Sequence, residues 1–177
     1  PRMAVYAPPT FQPWDDAVVL ALTYAEIPYT RIYDDDVLAG ALKEYDWLHM
    51  HHEDFTGQYG KFYASYAATE WYQKNQADEE ARAHAHGFAK VWQLKHAVTR
   101  AVKQYVAGGG FLFAMCTATD TYDIALADGD VDMCDRIYDG DGFDAQAGSR
   151  LDFTQTLAFR HFALILNPLT NEFSDID

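Results

Sequence analysis

The stretch AGGGFLFAMCTATD, residues 107–120, decides the fold of this 177-residue chain. Three glycines, a short apolar run and a cysteine followed by small residues predict a helix exit, a strand and a sharp turn into another helix. Such a turn crowds the positions two before and two after its central residue, and here these are Ala114 and Ala118. The pattern indicates a nucleophile elbow, which lifts Cys116 above the edge of a sheet.

The helix that starts at this turn should make the Cys116 thiol more reactive. The N-terminal end of a helix carries partial positive charge, which favours a thiolate over a thiol. Cys116 is therefore the candidate nucleophile, and the alternative is a buried structural cysteine. The other cysteine is Cys134, and two cysteines are too few for a disulfide framework, so both are expected to be free thiols.

Strand-like and helix-like segments alternate along the chain. Strands are predicted at 3–7, 29–33, 45–51 and 111–115, with two short late strands within 157–166. Helices are predicted at 17–25, 37–42, 88–105 and 121–127, the first introduced by Pro13, Asp15 and Asp16. This order predicts an α/β fold, a three-layer α/β/α sandwich with a mainly parallel sheet. We expect one domain over 1–177, with a helical excursion at about 61–87.

The net charge and the hydropathy of the chain limit the classes of molecule that it can bind. Thirteen Lys and Arg against 27 Asp and Glu give a formal charge of −14, which disfavours nucleic acid and acidic lipid surfaces. Apolar runs stay far below the roughly 18 residues of a membrane span, and no leader is visible. We expect a soluble protein with a small-molecule substrate, in the cytoplasm unless a leader was removed. Because the chain starts at Pro1 rather than Met, it stays open whether it is a piece of a longer precursor. It also stays open whether the chain forms a homo-oligomer.

The candidate base comes from the loop after the third strand. Parallel strands end at one edge of the sheet, so this loop should lie beside Cys116. His51 or His52 is the available general base, and Glu53 or Asp54 would orient its ring. Main-chain N–H groups of Thr117 and of the loop 51–56 would form the oxyanion hole. The oxyanion and substrate-binding candidates are Thr117, Asp54, Thr56 and Asp120.

Three other hypotheses use different residues. His49, His51 and Glu53 share one side of an extended segment and offer the ligand types of a metal-dependent hydrolase. Aromatic residues between 55 and 72 would line a groove for a sugar or another flat small molecule in a binding module without catalysis, or else form core. The third hypothesis is a calcium site in an acidic loop, whose sequence follows the EF-hand pattern only in part. Its acids are Asp128, Asp130, Asp132 and Asp139.

Longer motifs carry a resemblance. The segment YDWLHMHHEDFTGQYGKFYAS, residues 45–65, with 109–116 and 120–126, resembles a bacterial, Bacteroidota-type family labelled "asparagine synthetase B", and the likeness extends to residue 177. It implies a class I glutamine amidotransferase-like fold and attack on a glutamine-like amide through a covalent acyl-enzyme. That fold usually adds a histidine and an acid after its last strand, and this sequence ends before such a segment. It also lacks the Gly-rich pyrophosphate loop of ATP-dependent asparagine synthetases, so no cofactor is predicted.

Overall fold

The computed structural model describes residues 1–10 and 17–176. In this part of the chain, four parallel strands form one sheet: β1 (Met3–Tyr6), β2 (Thr30–Ile32), β3 (Trp47–Met50) and β4 (Phe111–Ala114). Their order in space is β2-β1-β3-β4. The predicted parallel α/β sheet is thereby confirmed. Since β3 and β4 are neighbours, the loops that follow them begin side by side.

Helices connect the strands. They are α1 (Ala17–Tyr24), α2 (Asp34–Leu38), α3 (Tyr63–Tyr66), α4 (Glu70–Ala85), α5 (Val91–Ala107), α6 (Thr117–Asp128) and α7 (Arg136–Asp139). Single 3-10 turns cover 41–44, 59–61 and 147–149. After α5, Gly110 packs against the Tyr105 ring, because an added Cβ would lie 2.2 Å from that ring and the ring would have to move. The helix start predicted at Pro13, Asp15 and Asp16 lies outside the described residues.

Helices pack on both faces of the sheet. Ala4 of β1 and Leu48 of β3 point to one face, where they join Leu94 and Val98 of α5 in the main core. The next residue of β1, Val5, points to the opposite face and packs with Val19 of α1. This arrangement is consistent with a three-layer α/β/α fold. None of the helices in the described residues is long and apolar enough to cross a bilayer.

The late strands predicted within 157–166 are not formed. That segment is irregular, and its one bridge is the isolated antiparallel pair of Leu164 with Ser174. Its apolar residues serve a second core instead, in which Phe162 packs with Phe173 from the C-terminal end. The prediction was wrong because a short apolar run can be buried without joining a ladder. The ammonium of buried Lys61 holds this segment by donating to the carbonyls of Ile165, Asn167 and Glu172.

Other boundaries differ by a few residues. The helix predicted at 37–42 is split into α2, which starts earlier at Asp34, and a separate 3-10 turn. The helix predicted at 121–127 begins four residues sooner, at Thr117, so that it follows Cys116 directly. The excursion at 61–87 is helical, as α3 and α4.

A buried ion cluster ties α2, α4 and α5 together. The Lys95 ammonium lies 2.7 Å from Asp34 Oδ2, 2.9 Å from Glu79 Oε2 and 2.9 Å from the Tyr33 hydroxyl. Burial disfavours the charged ammonium, but the two carboxylates outweigh it and hold the pKa of Lys95 well above its ordinary value. Glu79 also forms an ion pair with Arg82, whose Nη1 lies 2.9 Å from Glu79 Oε1. Removing one partner of such a cluster leaves an uncompensated buried charge.

We expect Lys95→Met to lower the free energy of unfolding by about 3–5 kcal/mol, because the Asp34 carboxylate loses its cation in the core. Chemical denaturation measures the change. Lys74→Met is the matched control, since Lys74 forms an exposed pair with Asp78 and its loss should change stability by less than about 1 kcal/mol. Equal stability of the two variants would contradict the assigned role of the cluster.

Two of the four acids in the calcium hypothesis, Asp128 at the end of α6 and Asp130 just beyond it, pair with residues of α5. Asp128 is buried with its Oδ1 3.1 Å from His96 Nε2, whereas exposed Asp130 reaches Arg100 at 3.1 Å. Both partners belong to α5, so these acids help to dock α6 on α5. The calcium hypothesis is therefore wrong for Asp128 and Asp130. Burial raises the pKa of Asp128 to about 6.

This raised pKa predicts a pH dependence of stability. The folded chain holds the Asp128 proton more tightly than the unfolded chain, so the contribution is complete below about pH 4 and is lost as pH rises to about 6. The unfolding free energy of the wild type, relative to Asp128→Asn, should fall by about 2 kcal/mol between about pH 4 and about pH 7. Denaturation at several pH values measures it. A flat difference, or the same slope relative to Asp130→Asn, would disprove the assignment.

Candidate active site

Cys116 sits in the turn between β4 and α6. Its backbone has φ 53° and ψ −142°, a positive-φ conformation that residues other than glycine rarely adopt. Ala118 is fully buried where the turn doubles back, and Cys116 itself is exposed. Strand, strained turn and helix follow one another as a nucleophile elbow requires.

The start of α6 supplies the electrostatics of the turn. Cys116 is the N-cap of this 12-residue helix, and its Sγ lies 3.8 Å from the Thr117 hydroxyl. The first N–H groups of a helix carry partial positive charge. The N–H of Thr117 comes directly after the cysteine, which is the usual position of an oxyanion-hole donor. Developing negative charge at this point would therefore be stabilised.

Two histidines from the neighbouring strand end meet the cysteine. Ligand-type atoms of His51, His52 and Cys116 all lie within 4.8 Å of one another. The two imidazole rings are tilted with their centroids 3.5 Å apart; His51 is buried and His52 exposed. Main-chain bonds hold the two loops together, since the N–H of Ala118 donates to the carbonyl of His51 at 3.1 Å. The structure thus brings together the three residues proposed as nucleophile and base.

Glu53 supports this arrangement through the main chain. Its Oε2 accepts a hydrogen bond of 2.7 Å from the N–H of His51. The main-chain carbonyl of Glu53 accepts a hydrogen bond of 3.0 Å from the Thr121 hydroxyl. The same hydroxyl also lies 2.7 Å from the carbonyl oxygen of Thr117, to which it donates. The side chain was predicted to orient an imidazole ring. The hydrogen bond to Oε2 fixes the backbone of His51, and the role of the Glu53 side chain in orienting a ring stays a prediction.

Asp54 and Thr56 organise the loop. The Asp54 carboxylate accepts bonds of 2.6–3.0 Å from the hydroxyl and N–H of Thr56 and from the N–H groups of Gln58 and Gly60. Thr56 is fully buried. Both were predicted to contact substrate or to orient the base. These bonds close the loop, and Asp54 also borders the neighbouring cleft, so the two roles stay predictions. Asp120, the fourth predicted binding residue, is buried in the first turn of α6.

The predicted metal ligands do not gather. His49 is buried in β3 and stacks on Phe113 at 5.2 Å between ring centroids, while the Glu53 carboxylate turns back to the N–H of His51. Within residues 1–10 and 17–176, two ligand clusters have their atoms within 4.8 Å, and His49 is in neither. They are His51, His52 and Cys116, and Asp132, Cys134 and Asp139. The prediction failed because period-two alternation ends with the strand at Met50.

A cleft of about 640 Å³ opens beside the histidine loop. His52 and Glu53 lie at its border, and Tyr59, Phe62 and Trp71 supply aromatic walls. This volume falls in the range of small-molecule sites. The two hypotheses for the aromatic residues between 55 and 72 therefore each hold for some of them. Phe55 and Tyr72 belong to the core, and other members of the set face the cleft.

One wall of the cleft was missed from the sequence. It is formed by α4, and its lining residues are Trp71, Lys74, Asn75, Asp78 and Glu79. These positions follow the spacing of three and four that places residues on one face of a helix. That spacing was visible, but the helix is polar around its circumference, so no apolar stripe distinguished the face.

No family model, curated protein or solved structure matches the chain.

The positive φ of Cys116 predicts an unusual order of stability. Backbone strain of this kind costs about 1–3 kcal/mol in a residue with a side chain, and glycine escapes it. We expect Cys116→Gly to be more stable than Cys116→Ala by about 1 kcal/mol in chemical denaturation. At Thr119, inside α6, the order should reverse, with alanine more stable than glycine by about 0.5–1 kcal/mol. The same order at both positions would show that the turn is unstrained.

Proposed function

We propose that this chain is a cysteine-dependent amidohydrolase or amidotransferase domain that cleaves a glutamine-like amide through an acyl-enzyme. The observation that carries the proposal is the position of Cys116 in a strained strand-to-helix turn, within 4.8 Å of histidine nitrogens. A nucleophile beside a general base, at the N-terminus of a helix, is the arrangement that covalent catalysis requires. Amidotransferase chemistry itself comes from the resemblance of residues 45–65, 109–116 and 120–126 to the family named above.

The topology supports a class I glutamine amidotransferase-like fold. The order β2-β1-β3-β4 equals the first four positions of the doubly wound order 2-1-3-4-5. In such sheets, sites form at the carboxyl ends of the strands near the switch point. His51, His52 and Cys116 follow the carboxyl ends of β3 and β4, so their location fits this rule.

Each chemical step has a residue in this site. The imidazole of His52 takes the thiol proton of Cys116, and the sulfur attacks the amide carbon, forming a C–S bond as the carbonyl electrons move to oxygen. The N–H of Thr117 stabilises that oxyanion. When the oxyanion collapses, the C–N bond breaks and the amine leaves with the proton from the imidazolium. The leaving amine, which is ammonia for a glutamine amide, is released or passed to an acceptor. Water then gives a proton to the His52 imidazole and attacks the thioester, and collapse of this adduct breaks the C–S bond and returns the proton to the Cys116 sulfur.

His52 is the better base of the two histidines. It is exposed and borders the cleft, so its ring can contact a substrate that enters there. His51 is buried, and its main chain is fixed on both sides by Glu53 and Ala118. We assign His51 to positioning, since its ring lies against that of His52 with the centroids 3.5 Å apart.

A second candidate function is small-molecule binding without turnover. The cleft of about 640 Å³ favours it, because three aromatic walls and several charged groups would hold a flat or hydroxylated ligand without any use of the thiol. The two functions differ in their need for Cys116. Ligand binding in the cleft would survive its replacement, whereas turnover would not.

Thiol reactivity and amide turnover together test the proposal. Iodoacetamide should modify Cys116 and spare Cys134, since burial raises the pKa of the Cys134 thiol well above its usual value. Glutamine, asparagine and a nitrophenyl ester are the substrates to assay. Cys116→Ser should lower kcat/KM at least ~100-fold and His52→Asn at least ~10-fold, because each removes a group that reacts in the transition state.

Cys134→Ser is the matched control, and its turnover should equal that of the wild type. Turnover that persists in Cys116→Ser would overturn the proposed chemistry. No turnover, together with ligand binding that Cys116→Ser leaves unchanged, would favour the binding module.

A further inference from the structure

The residues of the elbow also form a ligand set for a metal. We propose that His51, His52 and Cys116 bind one thiophilic divalent cation, of which Zn²⁺ fits best, and that the bound ion blocks the nucleophile. Two imidazoles and one thiolate are ligands that zinc prefers, while magnesium and calcium require oxygen. Binding stands on the geometry alone; the blocking of catalysis rests on the proposed function.

The distances suit a small ion. The three ligand atoms lie within 4.8 Å of one another. A tetrahedral zinc ion with bonds of about 2.0–2.3 Å needs its ligands roughly 3.3–3.6 Å apart. Side-chain rotations that move these atoms by about 1 Å close that gap. Cys116 and His52 are exposed and can make this adjustment without moving the core.

The backbone holds the ligands ready. The carbonyl of His51 accepts from Ala118, two residues after the cysteine, and its N–H is held by Glu53 Oε2. The two ligand-bearing loops therefore cannot separate without breaking main-chain hydrogen bonds. Three protein ligands with exposed edges leave a fourth position for water, as in zinc sites with an open coordination position. The formal charge of −14 also favours a cation over an anion near the surface.

The second ligand cluster in the described residues is a weaker candidate. Cys134 is buried, and its thiol donates to the carbonyl of Thr56 at 3.3 Å. The Lys90 ammonium already lies 3.4 Å from Asp139 Oδ2 and supplies the positive charge. A metal there would have to displace this cation and open a packed loop. The cluster therefore serves as an internal control.

Binding at the elbow would compete with catalysis. A thiolate that donates its electron pair to zinc cannot use that pair to attack a carbonyl, and an imidazole that binds zinc cannot take a proton through the same nitrogen. The ion would also stand between Cys116 and a substrate that enters past His52. Zinc binding and turnover should therefore exclude each other.

The test uses purified protein dialysed against a chelator and then titrated with Zn²⁺ by calorimetry and with Co²⁺ by absorbance. We expect one ion per chain and a thiolate-to-cobalt charge-transfer band. Cys116→Ser should abolish the band and weaken zinc binding at least ~100-fold, and His52→Asn should weaken it at least ~10-fold. Cys134→Ser should change neither. Both ligand variants alter exposed side chains, so circular dichroism should show an unchanged fold.

Zinc should also slow iodoacetamide labelling of Cys116, a readout that needs no turnover. Absence of stoichiometric binding, or binding that Cys116→Ser leaves unchanged, would overturn the metal site. Zinc that raises turnover would overturn the blocking role. If zinc binds but no amide is cleaved, the proposed function fails while the metal site stands. If amide is cleaved but no zinc binds, the proposed function stands while the metal site fails.

Discussion

Main-chain hydrogen bonds between two neighbouring strand ends are the constraint on which the site depends. The N–H of Met115 donates to the carbonyl of Met50 at 3.2 Å, and the N–H of Ala118 donates to that of His51 at 3.1 Å. These bonds continue the pairing of β3 with β4 beyond the last regular residues. Because they flank Cys116 on both sides, they hold its backbone at positive φ and fix it beside the histidines. The strain of the turn is thus balanced by sheet pairing.

Parallel topology explains why this much of the site could be predicted. Alternation of strands and helices was enough to place the loop after β3 next to the turn after β4, and small residues at Ala114 and Ala118 marked the turn itself. The proximity of His51, His52 and Cys116 follows from these two signals. Their chemical roles remain predictions, because proximity alone does not distinguish a base from a metal ligand.

Other features were mispredicted for two reasons, local hydrogen bonding within a loop and long-range packing that no local pattern records. Asp54 and Thr56 carry side chains typical of a binding loop, yet their groups close hydrogen bonds within that loop, as Asp and Thr often do. The apolar run 157–166 lacks strand pairing because the second core offered it another way to be buried. The wall of the cleft on α4 was missed because its residues are polar or aromatic and have no apolar periodicity.

The C-terminal segment belongs to the scaffold of the site. Lys61 closes the loop that Asp54 begins, and its buried ammonium bonds to carbonyls of the segment 165–172 and lies 5.5 Å from the centre of the Phe173 ring. An ammonium in the core is costly unless several oxygens surround it, so this contact fixes the segment and the loop to each other. The loop that carries the histidines and borders the cleft is therefore held from two directions. Hydrogen bonds to β4 and α6 set its distance from the thiol, and the segment around Lys61 sets the wall that a ligand would meet.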